Sequence, residues 1–544
     1  MQNTQTTWKT RAIVGVGATL LMMLGATAQA AEQSRVYVGF APGQKAAVSA
    51  SLSRAGGKTH YTFDRINAFA VSVPTAALKG LSKNPNILYI EDDPKRYLMA
   101  ETAPYGIAMV EADIAAQPGQ ANRKVCIVDS GYSINHEDLP SMGVNGDNDS
   151  GTGSWQTDEN HHGTHVAGTI AGLANNVGVV GVMPNANIDL HIVKVFGADG
   201  WAYSSSLIAA VQKCEDAAAD VVSMSLGGSF KSRSEDAAFR DFDKGGMLSI
   251  AAAGNDGNTR SSYPASYSSV VSVAAVDSNK VVADFSQQNS QVELAAPGVA
   301  VRSTVPHGTG TDESVSVGSD GYGAIAMEGS YQTSDSGALV DCGIGDANCA
   351  GASGKVCLIA RGTVAFADKV LACQNGGGVA AIISNNAPGL FSGTLSTTVT
   401  SIPSVGVSQE SGTALAGKLG QTATVTVLPG NYAYYDGTSM ATPHVSGVAA
   451  LVWSANTGCS NAEIRAALQN TAEDLGPAGR DSAYGFGLVK SAQAIAALSC
   501  GGGVEPPPPP PGTCDLGTAG DSCSSNSDCC SNNCKGKSGS KTCK

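Results

Sequence analysis

The sequence predicts an α/β protein in which a mainly parallel sheet lies between helices, and three observations predict it. Short apolar runs at 125–128, 188–195, 221–226, 247–253 and 270–276 have the length and unbroken hydrophobicity of strands buried on both faces. Helix-length stretches at 165–174 and 204–218 fall between several of them, and strands alternating with helices imply a sheet covered on both sides. Reactive side chains in such sheets gather at the carboxyl ends of strands, where Asp129 stands at the end of the first run.

The 544 residues accommodate more than one domain. A net charge of -13 with no offsetting basic stripe excludes a general nucleic-acid partner. Lys9 and Arg11, the apolar stretch 12–24 and Ala28-Gln29-Ala30 make residues 1–30 a secretory signal. That run is too short to span a bilayer comfortably, and no later one is longer, so the mature chain is expected to be extracellular and free of the membrane. Export makes the 14 cysteines disulfide candidates. Six of them, Cys514, Cys523, Cys529, Cys530, Cys534 and Cys543, crowd a tail that reads as a stapled module of open connectivity.

In chain order, residues 31–100 form a first unit, with strands at 35–40, 68–73 and 87–91 and helices at 45–55 and 74–82 in a β-α-β-β-α-β pattern. The main unit follows over 101–307. From 308 to 430 the texture turns to Gly, Ser, Thr and acidic residues around a small α/β module, with strands at 355–362, 378–385 and 402–407 and a helix at 366–375. The main unit resumes over 431–500 with a helix after Ser439 and another at 461–470. A Gly/Pro linker, 501–512, holds the tail module, 513–544, away from the rest.

Four elements carry chemistry. Asp129 follows Val125-Cys126-Ile127-Val128. His162 stands in His161-His162-Gly163-Thr164-His165-Val166-Ala167-Gly168 at the start of a helix. Asn255 ends Ala251-Ala252-Ala253-Gly254, and Ser439 lies in Gly437-Thr438-Ser439-Met440-Ala441-Thr442-Pro443-His444, where a polar turn enters an apolar helix. A serine before a helix is more often a cap than a nucleophile. Here a base, an acid and an amide donor accompany it.

With Ser225-Leu226-Gly227-Gly228 between them, these motifs resemble the subtilisin-like serine endopeptidases over roughly 101–306 and 431–497. The resemblance implies a subtilisin-like three-layer fold and an acyl-enzyme on Ser439, with His162 as base, Asp129 orienting it and Asn255 donating to the oxyanion. It implies protein or peptide substrates held between Gly200-Trp201 and Ser225-Leu226-Gly227 by strand addition. A first pocket of Ala252, Ala253, Gly254 and Ser262 would favour large apolar residues before the cut. A structural calcium ion is expected on Asp138 and Asn175 with the carbonyls of Leu173, Val177 and Val179, an oxygen-only set.

The first unit resembles the family's inhibitor-like propeptide, which would make the chain its own partner, cut near Ala100. The insertion resembles a protease-associated domain, and the tail a knottin-like module with Cys514–Cys530, Cys523–Cys534 and Cys529–Cys543 pairs and a role in surface or polysaccharide contact. Cys342–Cys349, Cys357–Cys373 and Cys459–Cys500 are expected bridges, while Cys126 and Cys214 are left open between thiols and a bridge. The expected state is a monomer. The competing expectation is a catalytically weak surface- or polysaccharide-binding protein on a protease scaffold.

Overall fold

The computed structural model describes residues 33–92, 101–498 and 500, and the backbone of 534–537 and 540–543. The expected signal, the stretch leading to Ala100, the linker and most of the tail lie outside the described residues. The chain divides into two compact units, 1–98 and 99–544.

In the first unit β1 (Gln33–Phe40), α1 (Lys45–Arg54), β2 (Lys58–Phe63), β3 (Ala68–Pro74), the short α2 (Leu78–Leu81) and β4 (Ile87–Asp92) form a sheet of order β2-β3-β1-β4. Val36 and Val38 from β1 and Val71 and Val73 from β3 bury against Val48 and Leu52 of α1. The strand β2 was not foreseen individually, because Lys58-Thr59-His60-Tyr61-Thr62-Phe63 has no buried residue to mark a core face.

The second unit opens with α3 (Tyr105–Met109), β5 (Lys124–Asp129), β6 (Val144–Asn148), α4 (His162–Ala171), β7 (Asp189–Lys194), α5 (Ser204–Asp216) and β8 (Val221–Met224). It continues through α6 (Arg233–Lys244), β9 (Leu248–Ala252), β10 (Val270–Val276), β11 (Val292–Pro297) and β12 (Val301–Thr304). Seven of these strands form a sheet of order β11-β10-β9-β8-β5-β7-β6, parallel throughout. The order reverses between β5 and β8, a switch point at which a crevice opens outside the strand ends. Asp129 closes β5 and Ser225 follows β8, so both stand at that crevice.

The strand β5 shows why its run is unbroken. Val125 and Ile127 bury on one face with Val166 and Ile170 of α4, while Cys126 and Val128 bury on the other with Leu207 and Val211 of α5 and Phe239 of α6. Each such side chain removed from water contributes about 1.5–3 kcal/mol. The edge strand β6 carries no buried residue and escaped the hydrophobic reading. The helix α4 begins three residues before the expected start, at His162, because Asp158 caps its first turn.

Residues 310–430 build a second sheet from β13 (Gly310–Val317), β14 (Asp320–Tyr322), β15 (Ala324–Ala326), β16 (Thr333–Asp341), β17 (Val356–Ala360), α7 (Phe366–Asn375), β18 (Ala380–Ser384), β19 (Ser404–Val407), α8 (Gln409–Ala416) and β20 (Thr422–Gly430). Its order is β14-β13-β20-β16-β17-β18-β19-β15, with parallel pairing from β16 to β19 and antiparallel pairing outside. Gly310 pairs with Gly430, so the excursion leaves and returns at one place. β21 (Tyr432–Tyr435) then pairs with β12 and leads into α9 (Thr438–Ala455), α10 (Asn461–Asn470) and α11 (Ser491–Ala497). α9 packs on α4 and on β8 to β11. From Thr438 to Ser454 every residue of α9 is buried except Ser439.

Disulfides join Cys126 to Cys214, Cys342 to Cys349, Cys357 to Cys373 and Cys459 to Cys500. The first resolves the open alternative for Cys126 and Cys214 as a bridge between β5 and α5. In the tail, β22 (Cys534–Lys537) pairs with β23 (Ser540–Cys543), while the expected pairings involve cysteines outside the described residues. No helix among the described residues is long and apolar enough to cross a membrane.

Candidate active site

Asp129 is fully buried at the end of β5, and its Oδ1 accepts hydrogen bonds from Ser130 N–H at 2.8 Å and from His162 Nδ1 at 2.8 Å. His162 opens α4, with about a quarter of its side chain exposed (26%). Burial pushes its imidazole pKa down, but the Asp129 charge and hydrogen bond push it up further, with Asp158 adding to them, so it lies above the ordinary histidine value. Gly163 permits this approach, since a Cβ there would fall 2.3 Å from the Gly131 carbonyl oxygen and 3.2 Å from the Asp129 side chain.

Asp158 fixes this corner. Its Oδ1 accepts from Ser130 Oγ–H (2.8 Å) and His161 N–H (2.9 Å), and its Oδ2 from Thr164 N–H (2.8 Å) and Oγ–H (2.7 Å). Ser130 Oγ in turn accepts from Gly163 N–H at 2.9 Å. The pattern reading passed over Asp158, although an Asp a few residues before a helix start is the residue type that caps free N–H groups.

Ser439 is the second residue of α9, where backbone N–H groups lack intrahelical acceptors. Its hydroxyl donates to the Ser225 carbonyl at 3.2 Å rather than to His162. Conversely Ser225 Oγ–H donates to the Ser439 carbonyl at 2.7 Å. Pro443 explains that second bond: it has no N–H for the carbonyl four residues earlier, and Ser225 supplies the missing donor. Hydrogen bonds to a nucleophile are commonly long or unmade without substrate, so the Ser439 rotamer excludes no role.

Asn255 follows β9. Its Oδ1 accepts from Thr438 N–H and Oγ–H, both at 2.8 Å. The backbone N–H can only donate, so the oxygen faces it and the amide NH₂ is turned the other way, beside the turn that carries Ser439. Ala252 and Ala253 are buried. Gly254 has φ +109°, and a Cβ there would lie 1.9 Å from Gln287 Oε1, so glycine is required. Ser262 is buried with its Oγ 2.5 Å from where a Gly227 Cβ would stand, which brings the end of the Ser225-Leu226-Gly227 edge against it. A cleft of about 530 Å³ is lined by Asp129, His162, Gly200, Trp201 and Ser225 to Gly227 together.

Two further histidines are held in buried contacts with backbone carbonyls. His165 Nε2 lies 3.0 Å from the Val301 carbonyl and 3.1 Å from that of Ala433, and burial drives its pKa down to about 3. His444 donates through Nδ1 to the Met440 carbonyl, with its pKa driven by burial to about 4.

Away from the cleft, Asp138 is fully buried; its Oδ2 accepts from Val179 N–H at 2.8 Å, while Oδ1 has no partner. Burial, opposed by that bond and the Tyr432 hydroxyl, raises its pKa to about 7. Asn175 donates to the Glu137 carbonyl and accepts from Val177 N–H, which ties the loop carrying Leu173, Val177 and Val179 to the segment carrying Asp138.

The model of the Subtilase family matches residues 120–343 and 352–487. The chain is 37% identical over 298 residues to Subtilisin J of Geobacillus stearothermophilus, covering 53% of this chain and 77% of that protein. It is 36% identical over the same length to Subtilisin E of Bacillus subtilis (strain 168), with the same shares covered. Among solved structures it is similar to the psychrophilic subtilisin-like protease Apa1 from the Antarctic psychrotroph Pseudoalteromonas sp. AS-11, with a TM-score of 0.67 and 45% identity over 73% of this chain and 98% of that one.

Proposed function

Because the chain belongs to the subtilase family of serine endopeptidases, we propose that it cuts proteins through an acyl-enzyme on Ser439, with His162, Asp129 and Asn255 as its working groups. The observation that carries this reading is the 2.8 Å bond from His162 Nδ1 to buried Asp129. That bond fixes the proton on Nδ1 and leaves Nε2 as the base. Ser439 Oγ attacks the peptide carbonyl as Nε2 takes its proton. The oxyanion receives the Asn255 amide and the Ser439 N–H, then collapses as Nε2–H protonates the leaving amine. Water deprotonated by Nε2 repeats the sequence on the ester, releasing the acid and Ser439. Loss of one such donor costs about 10²–10³ in turnover, a magnitude measured in subtilisin itself.

The small residues Ala252, Ala253 and Gly254 leave room for a large apolar side chain before the cut, and no acidic residue stands among them. Tyr97-Leu98-Met99-Ala100 supplies such residues for self-processing near Ala100, with residues 31–100 as inhibitor-like propeptide and 1–30 as export signal. The module over 308–430 is assigned as a protease-associated domain contacting substrate near the cleft, and the tail as a knottin-like surface-binding module.

For calcium, the unpartnered buried Oδ1 of Asp138 is the fit: a desolvated carboxyl oxygen without a donor is met by a cation. Asp138, Asn175 and the carbonyls of Leu173, Val177 and Val179 would hold it. Bound there, it supplies charge that ties a surface loop to the core, and takes no part in peptide cleavage.

The test is the N-terminus of the secreted chain and of its Ser439→Ala variant. Processing near Ala100 in the parent alone is expected; equal processing in both, or none in either with casein left intact, contradicts the proposal.

A further inference from the structure

The cleft bordered by Asp129 and His162 also reaches a carboxyl group that this mechanism does not use. Glu235, in the first turn of α6, lines it and is only 4% exposed. Ser204 Oγ–H donates to Oε1 at 2.7 Å and Tyr267 O–H to Oε2 at 2.7 Å. Each oxygen keeps an unfilled lone pair. Among the described residues no lysine or arginine pairs with it; Lys231 and Arg240 lie instead beside its neighbour Asp236, at 3.8 and 3.5 Å. A glutamate this buried is seldom without a counter-charge, and the two hydroxyl donors supply none.

Helix capping accounts for part of this. Ser232 accepts from Glu235 N–H, and an acid in the first turn complements the helix dipole. Asp236 already serves that dipole, however, and capping does not require Glu235 to turn its side chain to the cleft. Around the same cleft stand three rings, Trp201, Tyr203 and Phe230, which are 57%, 68% and 89% exposed. A cleft with an aromatic rim and a buried, unpaired carboxyl suits a long side chain that is apolar along its stem and cationic at its tip.

We infer that this part of the cleft is a subsite for a lysine or arginine side chain of the substrate, on the acyl side of the scissile bond. The inference rests on the endopeptidase reading and deepens it. The side is set by Ser262: the pocket assigned to the residue before the cut abuts Gly227, so the Ser225-Leu226-Gly227 edge carries the residues preceding it. The residues that follow this edge beyond the first pocket are the second to fourth before the bond, and alternation lets side chains of only one parity among them enter. A neutral side chain there would desolvate Glu235 further without giving it a partner.

Internally quenched peptides with Phe before the cut test this on the full chain. At each of the second to fourth residues before the bond, lysine is compared with Nε-acetyl-lysine and norleucine. At one position lysine should raise kcat/KM by about 10–100-fold over both, the range of a charged hydrogen bond. Glu235→Gln should remove most of that preference, bringing the lysine and norleucine peptides to within a few-fold of each other. Lysine no better than acetyl-lysine at every position, or a preference that survives Glu235→Gln, overturns the subsite. The acetyl-lysine comparison uses the parent protein, so it holds even where the variant does not fold. Peptides cut without charge preference sink the subsite alone, whereas no cleavage by the parent beyond that of Ser439→Ala sinks the endopeptidase reading with it.

Discussion

Replacing Asp158 with asparagine should cost stability and activity and shift a pH limb, although it removes none of the proposed reacting groups. The carboxylate is 6% exposed and receives four donors, two of them backbone N–H groups, from His161 and Thr164. Asparagine keeps one acceptor oxygen and turns an NH₂ toward the other pair of donors. A hydroxyl can rotate to accept from that NH₂, but a backbone N–H cannot. One backbone N–H then loses its charged acceptor, at about 1.5–3 kcal/mol, and the hydroxyl contact survives only as a neutral bond, so the cost is roughly 2–3 kcal/mol. Ser130 and Gly163 loosen with it, and both border His162. Small misplacements of a reacting group cost on the order of 10² in turnover. The sign of the pH effect follows from the same charge. Burial lowers the His162 pKa, Asp129 raises it by more, and Asp158 raises it further, so deleting the Asp158 charge lowers it. His162 must be neutral to act as base, and the acid limb of kcat/KM should therefore move to lower pH. The assay is kcat/KM against pH on one peptide, with thermal midpoints for parent and variant. A merely structural role would lower midpoint and rate with the limb fixed. A limb that stays or moves upward, or an unchanged midpoint, refutes the reasoning.

Two further outcomes are expected. His165 and His444 have pKa values pushed by burial to about 3 and about 4, so the unfolded chain binds more protons than the folded one between those values and the ordinary 6.5. Their contribution to stability is complete above the unfolded pKa and is lost as pH falls toward the folded ones, by up to about 1.4 kcal/mol per pH unit for each group. Urea midpoints flat between pH 7 and pH 4.5 would contradict this. Calcium at about 100 times its dissociation constant should stabilise the chain by about 2.7 kcal/mol, a gain that Asp138→Asn abolishes. An equal calcium-dependent rise in thermal midpoint for parent and Asp138→Asn would remove Asp138 from the site.

In the main sheet the strands most legible in the sequence were those buried on two faces. The five apolar runs appear as β5, β7, β8, β9 and β10, because a strand between two helical layers has no polar face to break the pattern. The strands β13 and β20 in the inserted sheet carry no unbroken apolar run to mark them, since they bury few residues and fill the rest largely with Thr, Ser and acids. In the candidate site, motif spacing led to Asp129 and His162, which line the cleft, and to Asn255 and Ser439. It could not lead to Ser225 Oγ as the donor that Pro443 takes from the Ser439 carbonyl, a pairing 214 residues apart along the chain. Glu235 was equally invisible: the apolar runs and motifs pass over 233–244, and only the fold shows that helix with the cleft beside it.

In the proposed mechanism Ser439 is a nucleophile activated by His162, and covalent labelling reads that directly. A fluorophosphonate should add one phosphonyl group to the peptide containing Ser439, and the rate should collapse in His162→Ala while the variant keeps its fold by circular dichroism. Labelling at another serine, or at Ser439 with an unchanged rate in His162→Ala, would contradict it.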